Sequence, residues 1–160
     1  MAFKITSKCR SFFEHIYDKE NKDGTKLKLL FDEYYLCLMV GLAAEMYDGS
    51  AKLEPSEITD YYPGEYIYSK DYIAGLLIAT ERKVRGLAEG DSSALEKLMT
   101  EYLDPESKTR LTDKGVERLN QYAARGIDIM LDVMSKPYDL ESFLVDYLEC
   151  FEERRFFIQE

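Results

Sequence analysis

Apolar residues recur along most of this chain at helical spacing, and in no stretch do they alternate strictly. Cys9, Phe12, Phe13, Ile16 and Tyr17 follow i, i+3, i+4, i+7 steps, predicting a first helix over residues 6–18. A second helix is predicted over residues 26–47, stopping near Asp48-Gly49-Ser50, where glycine would supply the left-handed cap. Its centre, Tyr34 to Ala44, is apolar on nearly every side, so other helices should surround it. A third runs from an expected cap at Ser69 to about Gly86, with Ile73, Leu76, Leu77, Thr80 and Val84 inward. Ser93 and Glu96 have capping-box spacing and open a fourth. Thr112 caps a fifth that reaches about Ser135, with Val116, Leu119, Tyr122, Ala123, Gly126, Met130 and Val133 inward, and Lys136-Pro137 breaks it. Asp139 caps a sixth, in which Leu140, Phe143, Leu144, Tyr147, Leu148 and Phe151 form the inward stripe and Glu141, Asp146, Glu149 and Glu152 the opposite face.

The best strand candidate, Tyr66-Ile67-Tyr68, is too short to build a sheet. The expected fold is therefore all-α. A single-domain bundle or orthogonal array of about six helices packs around the central apolar helix at residues 26–47. With 160 residues the chain falls in the single-domain range.

Residues 51–69 make a long connection between helical patterns. It holds Pro55, Pro63 and Gly64 and four of the five tyrosines between Tyr61 and Tyr72. Loops this long inside a compact domain are frequently functional. Tyrosine supplies a large contact area with a polar tip, which suits recognition surfaces. Tyr61, Tyr62, Tyr66 and Tyr68 are thus the expected partner-binding residues. A lid of the same rings over the second helix would be the structural counterpart.

Charge narrows the possible partners. The formal net charge is -10, and it is unevenly spread. Residues 1–30 hold seven basic and four acidic groups, whereas residues 31–66 hold one basic and eight acidic. Such a field repels phosphate, so direct nucleic-acid binding is not expected. Eleven apolar residues are too few to span a bilayer, which takes about 20. The first ten residues contain no apolar h-region, so no secretory signal and no membrane are expected. Cys9, Cys37 and Cys150 are odd in number and lack CxxC spacing, as expected for reduced thiols in the cytoplasm.

The chemistry-bearing patterns are few. One histidine, His15, excludes a multi-histidine metal centre, and Asp18 to Gly24 misses the glycine and glutamate positions of an EF-hand. No metal or other cofactor is expected. GxSxG, Walker A and GxGxxG runs are absent. Asp128 and Asp132 share a helix face with Arg125 within ion-pair reach. Arg10-Ser11-Phe12-Phe13-Glu14-His15 has the Arg–His spacing used by HEPN-type ribonucleases, small helical enzymes in which the two side chains act on an RNA phosphodiester. The pattern is not enough to assign the chain to that family, because Ser11 stands where a polar amide or acid would follow the arginine.

The expected function is a non-catalytic helical accessory subunit or adaptor. It would bind a protein partner, or a second copy of itself, within a cytoplasmic multi-protein assembly of the kind found in bacterial defence and DNA modification. The alternatives are a HEPN-like ribonuclease using Arg10 and His15, and an acidic mimic of nucleic acid.

Overall fold

The computed structural model describes residues 1–157. Among them are six α-helices and two short 3-10 turns, with no strand beyond isolated bridges. The helices are α1 (Ser7–Phe12), α2 (Leu30–Ala43), α3 (Lys70–Val84), α4 (Ser92–Tyr102), α5 (Asp113–Val133) and α6 (Leu140–Glu152). The 3-10 turns are Gly64–Ser69, which runs directly into α3, and Arg155–Phe157. One contiguous buried cluster takes side chains from all six helices, with Leu38 and Phe143 inside it as their spacing implies.

The centre of the fold is a contact between two backbones. Gly126 of α5 lies over the Cys37 carbonyl of α2, and a Cβ there would stand 1.8 Å from that oxygen. One turn along each helix, a Cβ on Gly41 would stand 2.0 Å from the Tyr122 carbonyl. The two glycines are therefore reciprocal, and α2 and α5 run antiparallel with no side chain between them at the crossing. Gly115 repeats the device where α5 begins, with its Cβ position 2.4 Å from the Tyr102 carbonyl at the end of α4.

Several helix limits depart from those predicted. α1 spans only Ser7–Phe12, because Ile16 and Tyr17 leave the helix to pair with residue 27. Leu27 N–H donates to the Ile16 carbonyl at 2.8 Å, and Asp18 N–H to the Leu27 carbonyl at 2.8 Å. That extended pairing also delays the start of α2 to Leu30. At its other end α2 stops at Ala43, well before Gly49, with Glu45 in the left-handed region at φ 58°. Met46 N–H returns to the Gly41 carbonyl at 3.1 Å and closes the end. Ser69 is not a cap, since the 3-10 turn leaves it already helical. Asp91 rather than Ser93 caps α4, accepting from Ala94 N–H at 3.0 Å. Thr112 and Asp139 cap α5 and α6 as expected, through Gly115 and Ser142 N–H.

The long connection is not a free loop. The extended segment before α1 runs antiparallel to it, with Phe3 N–H on the Thr59 carbonyl at 2.9 Å and Glu54 N–H on the Ile5 carbonyl at 2.8 Å. Asn120 of α5 anchors the same segment. Its amide donates to the Ala2 carbonyl at 3.0 Å and accepts from Tyr34 OH at 2.9 Å and Lys4 N–H at 3.3 Å.

The crossing generates a direct expectation. Gly126→Ala gains helix propensity of about 1 kcal/mol, yet its methyl must displace a carbonyl of the opposing helix. The net result should be a loss of about 3 kcal/mol or more, read as a lowered urea midpoint. An unchanged midpoint would mean that α2 and α5 do not cross in backbone contact.

Candidate functional site

The tyrosines of the connection divide into two groups. Tyr62 is core, 2% exposed, with its ring 5.3 Å from that of Phe3. Tyr66 is half-buried. Its hydroxyl donates to Asp32, and its ring sits 4.6 Å from Phe31 and 5.2 Å from Tyr35. These two rings serve the fold as a lid on α2. Tyr61 is exposed and Tyr68 is 97% exposed. Only Tyr61 and Tyr68 of the four face outward, and Tyr72 joins them one turn beyond Tyr68.

Arg10 and His15 have separate partners. Arg10 Nε donates to Glu54 Oε1 at 2.9 Å. His15 lies past the end of α1, with its ring stacked 4.7 Å from Tyr138. Among the described residues no hydrogen bond, ion pair or ring contact joins the two. Cys9 and Cys37 contact each other with their sulfurs 3.7 Å apart. That contact, followed by burial, raises the Cys9 thiol well above its ordinary pKa and keeps it protonated. Asp128 pairs with Lys8 of α1 at 3.0 Å. Among the described residues no group of three or more His, Cys, Asp or Glu is placed to hold a metal ion.

Two buried carboxylates escaped the sequence reading. Glu81 of α3 is fully buried but well satisfied. Arg85 Nε donates to it at 3.1 Å, Arg118 Nη1 at 3.1 Å and Tyr122 OH at 2.9 Å. Arg85 continues to Glu101 at 3.0 Å and Tyr102 OH at 2.7 Å, and Arg118 lies 3.8 Å over the Tyr47 ring. Two arginines balance two glutamates, so this cluster ties α3, α4 and α5 together. Glu33 of α2 is the opposite case, fully buried with no hydrogen bond to either oxygen. Burial pushes its pKa up to about 8, and the attraction of Arg10 does not offset it, with Asp32 and Glu54 adding to the rise.

An open apolar groove lies between α3 and α6, with α2 as its floor. Tyr35, Leu36 and Met39 form the floor of a groove of about 490 Å³. Tyr72, Leu76 and Ala79 of α3 form one wall, and Leu148 and Phe151 of α6 the other. Away from this face Phe31, Tyr34, Cys37, Leu38, Val40 and Gly41 of α2 are buried. The stripe predicted for α6 is divided accordingly. Phe143 and Tyr147 are buried, while Leu148 is 59% exposed and Leu144 also faces solvent. Tyr147 OH donates to the Leu36 carbonyl at 2.7 Å and fixes the α6 wall to the floor. Tyr35 and Leu36 also line a second hollow with Leu144, Lys26, Lys28 and Glu65, so the groove continues past the start of α2. Periodicity alone assigns Leu144 and Leu148 to the core, and their exposure needed the packing to be seen.

No helix among the described residues is long and apolar enough to cross a membrane. Comparison with known protein families, with curated proteins and with solved structures finds no match to this chain.

Glu33 makes stability depend on pH. Its folded pKa lies above the usual 4.5 of a glutamate, so the folded chain keeps a proton that the unfolded chain releases. Stability from this group is fully present below about pH 4.5 and lost as pH rises to about 8. Wild type and Glu33→Gln should therefore match near pH 5. At pH 8 the variant should be more stable by on the order of 4 kcal/mol, measured by urea denaturation at each pH. Parallel pH profiles would contradict the burial of an unpaired carboxylate.

Proposed function

We propose that this chain is a non-catalytic helical adaptor or accessory subunit of a cytoplasmic multi-protein assembly, and that it engages a protein partner through the groove over α2. The observation that supports this reading is the uncovered face of the central helix. A soluble helical fold gains by burying apolar surface, and large contiguous apolar hollows left open mark binding sites. Here Tyr35, Leu36 and Met39 lie at the base of an open groove although the rest of α2 is enclosed. The outward ring of Tyr72 extends the apolar surface along α3, and Tyr68 is exposed one turn before it. Tyrosines so placed are typical anchors of protein interfaces.

The ribonuclease alternative has less support. Arg10 is already neutralised by Glu54, and His15 is engaged by Tyr138. The acidic balance also disfavours RNA.

The test is affinity purification of the tagged chain from its own cells, as wild type, Leu148→Asp and Leu131→Asp. Both leucines are exposed, so neither change should unfold the protein, and Leu131 of α5 does not line the groove. The bound protein should be lost with Leu148→Asp, corresponding to roughly 2 kcal/mol or about 30-fold in Kd, and retained with Leu131→Asp. A partner indifferent to Leu148→Asp, or RNA cleavage that depends on His15, would overturn the reading.

A further inference from the structure

We infer that the groove over α2 is built for an amphipathic helix with a cationic flank, supplied by a different protein. The inference rests on the protein-binding reading above and specifies the partner.

The first observation is Gly75. Four glycines lie inside helices: Gly41, Gly75, Gly115 and Gly126. Three of them accommodate a neighbouring backbone that leaves no room for a Cβ. Gly75 has nothing within 4 Å of its Cβ position and faces solvent. Glycine is the least favourable helix residue after proline, so nothing within the chain accounts for it. It stands three residues after Tyr72 and four before Ala79, at the solvent edge of the α3 wall beside the residues that line the groove. A smooth patch at Gly75 and Ala79 lets the backbone of an incoming helix approach closely, as Gly41 and Gly126 allow inside the fold.

The second observation is charge. Every charged residue of α6 is acidic, and Glu141, Asp146, Glu149 and Glu152 are all exposed. Glu141 and Glu152 stand on the solvent side of the Leu144–Leu148–Phe151 stripe, with Glu149 beyond them. At one mouth of the groove Lys26 and Lys28 are offset by Glu65 and Asp32, and at the other Lys83 pairs with Glu45 at 3.7 Å. The wall that a bound helix would lie beside is therefore net negative. A second copy would bring another acidic α6 and more of a chain of net charge -10, so self-association opposes itself. Lysine or arginine beside an apolar stripe is the complement. From Tyr72 to Lys83 the α3 wall runs about 16 Å, or three turns of helix.

The test uses a displayed library of helical peptides of about 18 residues, or roughly five turns. Leucine is fixed along one face, and Lys, Glu, Gln and Ala are varied elsewhere. The full chain is the bait. Selected peptides should be cationic, with lysines beside the leucine stripe, and should weaken as salt rises. Their affinity should fall at least about tenfold with Gly75→Leu, and similarly with the triple change Glu141→Gln, Glu149→Gln and Glu152→Gln. Gly75→Leu meets no neighbour within 4 Å in the free chain, so its melting temperature should be kept or raised and unfolding cannot explain the loss. Neutral or acidic winners, no winners, or winners indifferent to Gly75→Leu would overturn the inference. So would a dimer of the chain that Gly75→Leu dissociates, because the occupant would then be a second copy. A cellular partner lost with Leu148→Asp but kept with Gly75→Leu would preserve the groove and reject the cationic helix. A partner kept by both would reject the two readings together.

Discussion

The rest of the structure depends on the close approach of α2 and α5. At Gly41 and Gly126 there is no space for a methyl group, so two peptide backbones touch in the middle of the fold. Dispersion is strongest where atoms are closest, and a backbone contact also allows the flanking side chains to interdigitate. The antiparallel pair then defines where everything else can go. Asn120 and Tyr34, one from each helix, pin the N-terminal segment, and that segment in turn holds the long connection. The Glu81 cluster adds a second brace, joining α3 and α4 to α5 through two arginines and three tyrosine rings.

A pair so tightly joined leaves the central helix unevenly covered. α5 takes one face of α2, and α1 with its aromatic neighbours takes another. α3 and α6 flank the remaining face and are each fixed from behind, α3 by Glu81 and α6 by Phe143 and Tyr147. Rigid walls on an apolar floor are what a docking groove requires, because little order must be created when a partner arrives. Glu33 works against the same packing. It is buried with no donor, and burial favours its protonated form.

Much of this was legible in the chain. Thr112 and Asp139 cap the helices they should, and Val116, Leu119, Tyr122, Ala123, Gly126 and Met130 of the α5 stripe are buried as their spacing demands, with Val133 half-buried. The end of α1 and the start of α2 were not legible, because Tyr17 and Leu27 exchange helix for an extended pairing across the turn between them. Glu45 closes α2 in a left-handed conformation that glycine usually supplies, so Gly49 misleads. The connection showed its density of tyrosines but not their division, since only tertiary packing sends Tyr62 inward and Tyr68 outward. The groove was hidden for a related reason. Periodicity identifies which residues of α6 are apolar, but the separation of α3 from α6 decides that Leu148 lines a wall instead of filling the core.

The account makes the uncovered face of α2 the working surface of the molecule, and the remaining faces its support. Amide hydrogen exchange on the chain alone and bound to its co-purified partner tests this most directly. The account predicts added protection in Tyr72–Lys83 of α3 and Leu144–Phe151 of α6, with exchange in α4 and the N-terminal half of α5 unchanged. Protection centred on α4 or on the surface around His15 and Tyr138, with α3 and α6 unaltered, would contradict it.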